Sequence, residues 1–387
     1  MAGLDLSAEE RALVARAADF SRRHVAPAAA EWERARQMPL ATLRAAAEAG
    51  LIGIEVPAAL GGQGARFGAK LKVAEAIAGD CMAFSFSLIN TQNIAAKLAR
   101  DGSPAQIARY LPDLLAARRI GATALTEPGA GSDFAAIATH ARKVAGGWRL
   151  RGEKAWITNA AVASLFTVYA QTAPGQGGRG IACFLVDAES PGFVRRPPFA
   201  LLGGHAIGAG GFALEDCFVA DAYLMHPPGE AFKTALRSIN GARTYVAGMC
   251  CAMVKSALKR ALAYGGERTS FGRPLIEHQG LRWLLADVAT DLEAASLLTE
   301  RAAILIQDGA DATTAAAHAK KFAARMASAR IADCIQALGA NGLREAEGLG
   351  RHLAMAKIAH FVDGTTEMQN ERIGAALSRD YGGADRR

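Results

Sequence analysis

The pattern of apolar and polar positions divides the chain into three zones. From the N-terminus to about Arg119, apolar residues recur with the spacing of α-helices. From about Ile120 to Met225, short alternating or apolar stretches lie between turn residues, which predicts β-strands. From about Gly229 onward the helical spacing returns. It is longest along a segment with apolar positions at Leu281, Leu284, Leu285, Val288, Leu292, Ala295 and Leu298.

The three zones predict an α+β protein that is mainly helical. We place an N-terminal helical domain at residues 1–119, a central β domain at residues 120–225 and a C-terminal helical domain at residues 226–387. Because the strands do not alternate with helices, a doubly wound parallel sheet is not expected. The stretch GAGSDF lacks the third glycine and the preceding strand of a Rossmann fingerprint, so a dinucleotide would bind in another manner.

Local signals predict where several elements begin and turn. Ser7 and Glu10 have the spacing of a capping box at the start of the first helix. The Ser103-Pro104 pair opens another helix. In GWRLRGEKAWITNA, alternation on both sides of the Arg151-Gly152 pair predicts two strands joined by a turn there.

Length and charge narrow the classes of function. The 387-residue chain is 51% hydrophobic and 21% charged, as in globular proteins, and its formal net charge is +7. Scattered surface arginines explain such an excess, and so does a preference for phosphate-bearing cofactors, thioesters or nucleic acid. No cluster of Lys or Arg appears in the sequence, which argues against nucleic acid as a partner.

The six cysteines predict neither disulfides nor a metal site. None belongs to a C-x-x-C pair, so we expect reduced, buried thiols.

The N-terminal stretch contains acidic residues and no apolar core, so it does not resemble a signal peptide. We find no apolar run of membrane-spanning length in the sequence. The expectation is a cytoplasmic protein without a membrane segment.

Five stretches, in this order and spacing, resemble the acyl-CoA dehydrogenase family and are spread over most of the chain. They are ALTEPGAGSD (124–133), GEKAWITNA (152–160), ERTSFGRPLIEHQ (267–279), QALGANG (336–342) and VDGTTEMQ (362–369). The resemblance implies FAD as the cofactor. It also implies the fold of that family: an N-terminal helical domain, a central β-barrel-like domain and a C-terminal four-helix bundle.

The first two stretches are expected to contact the flavin. The glycines of the first expose backbone N–H groups, and the resemblance implies that Thr126 contacts the flavin and Ser132 the flavin and the substrate. An ordinary Pro-Gly loop is the alternative. On a strand, Trp156 and Thr158 would share one face. The resemblance implies that they pack on the flavin ring and bond near its N5 atom, whereas the alternative is a core tryptophan.

The later stretches are expected to hold the remainder of FAD. A guanidinium is a natural partner for a pyrophosphate. The resemblance implies FAD contacts at Arg268, Ser270, Phe271, Gln279 and Thr365, and contacts from a neighbouring subunit at Gln336, Gly339 and Gly342. A helix is expected to begin near Pro274, with His278 as a cap without a chemical role. A solvated helix residue is the alternative for Arg268.

Asp363 is the candidate base. The family removes an α-proton from an acyl thioester while hydride leaves the β-carbon, and most members place a glutamate at this position. Aspartate is one methylene shorter, about 1.5 Å in reach, and a misplacement of about 1 Å costs on the order of a hundredfold in rate. A second branch carries its glutamate on the helix near Arg243, where this chain has Ala242. A plain turn or a helix cap is the alternative for Asp363.

Substrate contacts are implied at Ser132, Asn240, Arg243 and Gly364. The resemblance implies that Arg243 holds the CoA portion and orders the base, and a salt bridge between helices is the alternative. The chain has Asn370 where most members carry an arginine, which departs from the family pattern at its C-terminal end.

The acyl pocket is expected to be polar. The stretch FSFSLINTQNIAAKLA resembles the family helix that forms the floor of this pocket, and Ser87, Asn90, Thr91 and Gln92 make it more polar than in fatty-acyl enzymes. We therefore expect a short, cyclic or polar acyl group, unless these side chains face solvent. Glycines in the loop GGHAIGAGG replace the usual Ser/Thr pair, so the carrier is either CoA or an acyl-carrier protein.

The function implied by the resemblance is FAD-dependent α,β-dehydrogenation of an acyl thioester, with electron-transfer flavoprotein as the electron acceptor. The long apolar face of the C-terminal helix must pack against other helices. We therefore expect a helical bundle and a homo-oligomer, either a dimer or a tetramer. A flavin oxidase acting on a carbon acid such as a nitroalkane is the second interpretation. A DNA-associated flavoprotein of the same family is the third; that branch has a basic C-terminal extension, whereas this sequence ends at YGGADRR.

Overall fold

The computed structural model describes residues 4–381, which begin with a group of helices. These are α1 (Ala8–Phe20), α2 (Ala29–Ala35), α3 (Leu40–Glu48), α4 (Phe67–Asp101) and α5 (Pro104–Leu115). A π-helical turn, Ser21–Val25, follows α1. The backbone of α4 leaves helical geometry once, at Cys81 (φ −154°, ψ 98°). Residues 382–387, with which the sequence ends, lie outside the described residues.

The predicted helix starts at Ser7 and Ser103 are confirmed. The Ser7 hydroxyl accepts from the backbone N–H of Glu10, and the Glu10 carboxylate accepts from the backbone N–H of Ser7, which completes a capping box. Ser103 and Gln106 form the same reciprocal pair at α5. Arg66 also binds Glu10 at 2.5 Å and lowers its pKa to about 2, which ties α1 to the start of α4.

The central zone forms one eight-stranded sheet. Its strands are β1 (Gly121–Ala124), β2 (His140–Val144), β3 (Gly147–Ile157), β4 (Leu165–Gln171), β5 (Ile181–Asp187), β6 (Phe193–Arg195), β7 (Gly210–Ala220) and β8 (Leu224–His226). The order is β6-β7-β3-β2-β4-β5-β8, with β1 parallel to β4. Within the described residues the three-residue strands β6 and β8 each pair with one neighbour, β7 and β5, and form the two edges of the sheet. The expected barrel-like closure is therefore wrong, and the sheet is open.

The predicted turn at the Arg151-Gly152 pair is also wrong. The strand β3 runs through both residues, and its pairing with β7 shifts there from Leu150–Cys217 to Gly152–Leu214, which is a β-bulge. Gly152 has φ +148°, and an added Cβ would lie 2.6 Å from Thr139. The glycine therefore serves a bulge and a close approach, which the alternation pattern cannot distinguish from a turn.

The C-terminal zone is helical. It contains α6 (Ala231–Glu267), a hairpin of β9 (Thr269–Ser270) and β10 (Arg273–Pro274), then α7 (Gln279–Gln307), α8 (Thr313–Ala337), α9 (Leu349–Ala359) and α10 (Thr366–Tyr381). A 3₁₀ turn, Leu275–Glu277, directly follows Pro274, where a helix was expected, but the long helix α7 begins only at Gln279. Arg273 and Pro274 themselves pair with β9 across a turn at Phe271 (φ 51°) and Gly272 (φ 79°).

Packing confirms the fold class of helices, then sheet, then helices. The helices α6, α7 and α8 pack on one another, α10 packs on α8, and α4 packs on α6 and on β1. Of the apolar set in α7, Leu285, Val288 and Ala295 are buried and the others pack partly buried against the core. All six cysteines are free and buried, and residues 4–381 contain no cluster of side chains that could hold a metal.

One described helix, α4, is long and apolar enough to cross a membrane by length and composition alone. This corrects the expectation that no stretch reaches that length. Inside the protein, 72% of its apolar window is buried, as in the core helix of a globular protein. The apolar character of α4 is therefore explained by its packing against the sheet and α6.

Candidate active site

A turn between α9 and α10 carries Asp363. We name residues 360–366 the base turn. Asp363 has φ +53° and Gly364 has φ +92°, so two consecutive residues are in the left-handed region. Aspartate enters that region more readily than most non-glycine residues. The Thr365 hydroxyl accepts from the backbone N–H of Met368 at 3.4 Å, so Thr365 caps α10 and Asp363 does not.

Arg243 of α6 holds the base turn from one side. Its Nε donates to the carbonyl oxygen of Asp363 at 3.2 Å, and its Nη1 donates to Oδ1 of Asn240 at 3.2 Å. Asn240 in turn donates to Thr313 at the start of α8. Among the described residues no carboxylate oxygen lies within 4.0 Å of Arg243, so the alternative of an interhelical salt bridge is wrong. Arg243, Asn240, Asp363 and Gly364 form one cluster.

Two residues that the sequence analysis did not single out hold the same turn from the other side. Lys320 of α8 donates to the carbonyl oxygens of Gly364 and His360, and Gln369 of α10 donates to that of Gly364 at 2.9 Å. A signal for Lys320 exists in the sequence, because Lys320 lies in register with the buried Ala316, Ala323 and Ala327 of α8. A lysine on an apolar helix face indicates a buried partner.

His360 closes the base turn at its first residue. Its Nδ1 lies 3.0 Å from the Thr366 hydroxyl and its Nε2 lies 3.1 Å from the Ser328 hydroxyl of α8. Burial lowers the pKa of His360, and the nearby charges of Lys357 and Lys320 lower it further. The imidazole is therefore a neutral link between the turn and α8.

These hydrogen bonds to Arg243, Lys320 and Gln369 use backbone carbonyls of the base turn and not the carboxylate of Asp363. Its Oδ2 is buried and has no hydrogen-bond partner among the described residues. Burial raises the pKa of Asp363 above the ordinary 3.8, and the charges of Lys320 and then Arg243 oppose that rise. A buried carboxylate with a free oxygen and a raised pKa has the properties of a general base.

The loop with Thr126 and Ser132 is fixed by a buried ion pair. The Glu127 carboxylate accepts from Lys154 of β3 at 2.8 Å and from the backbone N–H groups of Ala138 and Thr139 at 2.6 and 3.0 Å. Burial lowers the pKa of Lys154 to about 8, against the opposing charge of Glu127. This pair joins both ends of the loop to the sheet.

The two candidate residues of this loop, Thr126 and Ser132, lie at or near its surface. Thr126 is half-buried and its carbonyl accepts from Ala155 of β3 at 3.1 Å, whereas Ser132 is exposed. Between them, Gly129 has no atom within 4 Å of the place where a Cβ would stand. The backbone is therefore open to a flat ligand here, as a Pro-Gly loop on the surface would also be.

Trp156 is exposed, so the alternative of a core tryptophan is wrong. Its side chain is 60% exposed, and its ring centroid lies 4.4 Å from that of Phe199. The argument that placed Trp156 and Thr158 on one strand face fails, however. Trp156 has φ +60° at a second bulge of β3, and Thr158 lies beyond the last strand residue, Ile157.

A cavity of about 340 Å³ lies where the hairpin, α7 and the end of α8 meet. Its lining is Ser270, Phe271, Leu275, His278, Gly280, Leu281, Leu284, Gln336 and Ala337. Ser270 and Gln336 therefore face one cavity of one chain, whereas the sequence analysis assigned them to FAD contacts in different subunits. Gln279 is exposed at the first turn of α7, and Gly339 (φ +59°) follows α8. Arg268 is exposed directly before β9.

His278 does not cap α7 with its side chain. Its Nε2 lies 3.1 Å from the carbonyl oxygen of Ser270, and its Nδ1 lies 3.3 Å from Arg273. His278 thus fixes the hairpin that carries Phe271, whose side chain is 96% exposed. The backbone N–H groups at the start of α7 stay open to an anion.

The polar residues of α4 do not face solvent, so that alternative is wrong for three of them. Ser87, Thr91 and Gln92 are buried and Asn90 is half-buried. Gln92 donates to the carbonyl oxygen of Leu51 at 2.6 Å, and Asn159 donates to Thr91 at 3.4 Å. The Ser87 hydroxyl and the Gln92 amide oxygen are buried without partners among residues 4–381.

The residues present fit FAD. Exposed Trp156 and Phe271 offer aromatic faces, and the 29-residue helix α7 begins at the 340 Å³ cavity with a free N-terminus suited to phosphate. Gly272 and Gly339 have no atom within 4 Å of a Cβ position, so the backbone there is accessible. Arg268 adds a guanidinium at the same edge.

Comparisons with known proteins give a consistent result over nearly the whole chain. The family model described as acyl-CoA dehydrogenase, N-terminal domain, matches residues 7–118. The middle-domain model matches residues 122–217, and the C-terminal-domain model matches residues 229–378. Each match coincides with one of the three structural zones.

Similar proteins support the same assignment. The mitochondrial short-chain specific acyl-CoA dehydrogenase of Mus musculus is 33% identical over 364 residues, 94% of this chain and 88% of the mouse protein. Butyryl-CoA dehydrogenase from Megasphaera elsdenii superposes with a TM-score of 0.93 at 28% identity, covering 97% of this chain and 100% of that one. A chain solved in work on the electron transferring flavoprotein of Acidaminococcus fermentans gives 0.94 at 30% identity, covering 98% and 100%.

Proposed function

The chain belongs to the acyl-CoA dehydrogenase family, and we propose that it catalyses α,β-dehydrogenation of an acyl thioester with Asp363 as the base. Members of this family are FAD-dependent oxidoreductases that act on CH–CH groups. The observation that carries the proposal is the buried, unpartnered Oδ2 of Asp363 in a turn whose backbone is bound by Arg243 and Lys320.

In the proposed reaction, Asp363 takes a proton from the α-carbon of the acyl group. The β-carbon loses a hydride, the electron pair of the α C–H bond forms the double bond, and Asp363 becomes neutral. FAD supplies the two-electron acceptor for that hydride. The raised pKa of Asp363 strengthens the carboxylate as a base, because burial disfavours its charged form.

Binding of the thioester is proposed to use the residues around the turn. Arg243 and Asn240 lie on α6 beside Asp363 and Gly364, and Ser132 is exposed on the loop between β1 and β2. The Arg243 guanidinium is buried without a carboxylate partner among the described residues, so its charge remains available to polar groups of a substrate.

FAD is proposed to contact two groups of residues. The first lies on the sheet and its loops: Thr126, Ser132, Trp156 and Thr158. The second lies at the end of the C-terminal helices: Arg268, Ser270, Phe271, Gln279, Gln336 and Gly339. Thr365 stands apart, in the base turn. Because Gln336 shares the 340 Å³ cavity with Ser270 and Phe271 in one chain, we propose that these three residues contact the same part of FAD; a contribution from a neighbouring subunit stays a prediction.

A short acyl group is the proposed substrate. The short-chain mouse enzyme and the butyryl-CoA dehydrogenase cover nearly all of this chain. We further propose that the buried polar side chains on α4 line the acyl pocket, where a cyclic or polar acyl group would supply the partners that the Ser87 hydroxyl and the Gln92 amide oxygen lack. Both CoA and an acyl-carrier protein are kept as carriers. The likeness to a chain solved in work on the electron transferring flavoprotein of Acidaminococcus fermentans supports an electron-transfer flavoprotein as acceptor.

Anaerobic flavin bleaching tests the proposed reaction and its substrate. The holoenzyme is mixed with butyryl-CoA, octanoyl-CoA and a cyclic or hydroxylated acyl-CoA, and the flavin absorbance is followed. Butyryl or the polar thioester should bleach the flavin faster than octanoyl does, because the proposed acyl pocket contains the buried polar side chains of α4. Preference for octanoyl would refute the substrate class, and no bleaching by any thioester, free or carrier-bound, would refute the reaction.

Two further assays test the other interpretations, a carbon-acid oxidase and a DNA-associated flavoprotein. A carbon-acid oxidase would turn over a nitroalkane and form hydrogen peroxide in air without an electron-transfer partner. A DNA-associated flavoprotein would bind DNA in a gel-shift assay, with an affinity that falls steeply as salt rises.

A further inference from the structure

Lys320 is a buried lysine without an ion-pair partner at close range. Its side chain is 1% exposed on α8, and among the described residues no carboxylate oxygen lies within 4.0 Å of its ammonium group. Removing an ammonium group from water is energetically costly, so a buried lysine requires compensation from its surroundings.

The compensation comes from the base turn. The Lys320 ammonium donates to the carbonyl oxygens of Gly364 and, at 3.4 Å, of His360. These two carbonyls flank Asp363 in the chain. The lysine therefore binds the backbone on both sides of the candidate base, while the carboxylate itself keeps a free Oδ2.

Charged and titratable groups act on Lys320 from the base turn, which includes His360, and from α10 and α6. Asp363 and Glu367 approach from the base turn and α10, and Arg243 and Cys250 approach from α6. Burial lowers the pKa of Lys320 to about 8, and the charge of Asp363 opposes that fall more than any other group does. Reciprocally, the charge of Lys320 lowers the pKa of Asp363 more than the charge of Arg243 does.

We propose that Lys320 is a positioning residue for Asp363: it fixes the base turn from beneath and places a positive charge near the carboxylate without binding it. This inference rests on the proposed function, in which Asp363 is the base. A direct Lys–Asp ion pair would occupy the oxygen that must take the proton. Binding the flanking carbonyls holds the turn and leaves that oxygen free.

The proposal predicts a change in the pH profile and not only in stability. In Lys320→Gln an amide still donates to the turn but the charge is lost, so the Asp363 carboxylate ionises less readily. The acid limb of the flavin-reduction rate against pH should move upward by about one pH unit. The limiting rate should fall about tenfold or more through misplacement of the base, with little change in apparent affinity for butyryl-CoA.

The experiment compares holoenzyme variants by anaerobic rapid mixing with butyryl-CoA across pH. Lys320→Gln and Lys320→Met should both show the shifted limb, and Lys320→Arg should restore the wild-type limb because the charge is kept. Lys97→Met is the matched control. Lys97 is also a buried lysine, but it binds Tyr169 and Cys183 and does not touch the base turn.

Where a neutral variant retains FAD, two outcomes overturn the proposal. One is a Lys320→Gln or Lys320→Met holoenzyme with the wild-type limb and rate. The other is a Lys97→Met control that shifts the limb equally. If neither neutral variant retains FAD, Lys320→Arg decides: a wild-type limb supports the proposal and a moved limb overturns it. An Asp363→Asn variant at the full rate would instead refute the proposed function, so the two failures are distinguishable.

Discussion

Asp363 combines a strained backbone with a free side chain, and each property depends on a different set of contacts. The backbone at φ +53° is held by Arg243, and the following Gly364 is held by Lys320 and Gln369. Left-handed residues of this kind cost about 1–3 kcal/mol and persist where the surroundings over-determine them. The side chain, by contrast, makes no bond through Oδ2 within the described structure.

The raised pKa of Asp363 predicts opposite effects of pH on rate and on stability. Flavin reduction should slow as pH falls through the raised pKa, at a pH above the 3.8 of an ordinary aspartate, because the base becomes protonated. Over the window from 3.8 to the raised value the folded state binds the proton more tightly than the unfolded chain. As pH rises through this window, the Tm of the wild-type protein should therefore fall relative to the Tm of the Asp363→Asn variant.

Thermal melts of both proteins, in parallel with rapid-mixing rates, check this expectation. A constant Tm difference from acid to neutral pH would contradict it.

Gly364→Ala should disturb the base turn. At φ +92° an alanine is strained, and its Cβ would lie 3.1 Å from the Gln369 amide and 3.4 Å from the Arg243 guanidinium. We expect a loss of about 1–3 kcal/mol in the free energy of unfolding and slower flavin reduction. Denaturant unfolding with flavin fluorescence measures it.

Gly350→Ala is the matched control for Gly364→Ala. Gly350 lies in α9 with no atom within 4 Å of a Cβ, so alanine should stabilise there by about 0.5–1 kcal/mol. Equal effects at the two glycines would show that the turn geometry is not special.

Sequence reasoning found part of this cluster and missed the rest for a physical reason. Asp363 and Arg243 were found through their motifs. Lys320 and Gln369 act through backbone carbonyls that a sequence does not display, and they meet Gly364 only after α8 and α10 pack together. The left-handed conformation of Trp156 was missed likewise, because it depends on a bulge in the pairing of β3 with β7.

At the level of elements, the loop between β1 and β2, which we propose contacts the flavin, depends on the Glu127–Lys154 pair. The loop leaves β1 and returns at β2, and the buried pair joins both ends to β3. The starts of some helices were predictable from local sequence, as the capping boxes of α1 and α5 show. The bulge at Gly152 and the hairpin before α7 did not, because strand pairing decides them.

Lys154→Met should destabilise the protein by about 3–5 kcal/mol, because it leaves the Glu127 carboxylate buried without its cation. FAD should also bind more weakly, since Thr126 and Ser132 lie on the released loop. Denaturant unfolding and flavin titration measure the two effects.

The double variant Lys154→Met/Glu127→Gln is the companion measurement. Removing both charges should cost less than the sum of the two single substitutions, because neither charge is then stranded. Strict additivity would mean that the pair does not hold the loop.

In the whole molecule, the residues proposed to contact FAD, apart from Thr365 in the base turn, belong to two regions of different architecture, the open sheet and the end of the C-terminal helices. The order of the three zones was predictable from periodicity alone, and the matched family models follow it. The open edge of the sheet was not predictable, since closure depends on whether β6 and β8 meet in space. Assembly into a homo-oligomer stays a prediction.

Phe271→Ala should separate cofactor binding from folding. The ring is 96% exposed, so its loss should change the free energy of unfolding of the apoprotein by less than about 0.5 kcal/mol. FAD affinity should fall about tenfold, measured by flavin titration of the apoprotein. Leu202→Ala, at another exposed apolar side chain, is the control and should leave the affinity unchanged. Unchanged affinity in Phe271→Ala would exclude the hairpin from the cofactor site.

The most direct measurement is the rate at which butyryl-CoA, or the best thioester of the panel, bleaches the flavin in Asp363→Asn under anaerobic conditions. The variant should fold, bind FAD and bind the thioester, because the turn is held through its backbone carbonyls. Its bleaching rate should be about 10²–10⁴-fold below that of wild type, the usual contribution of a general base. Bleaching at the wild-type rate would mean that Asp363 is not the base.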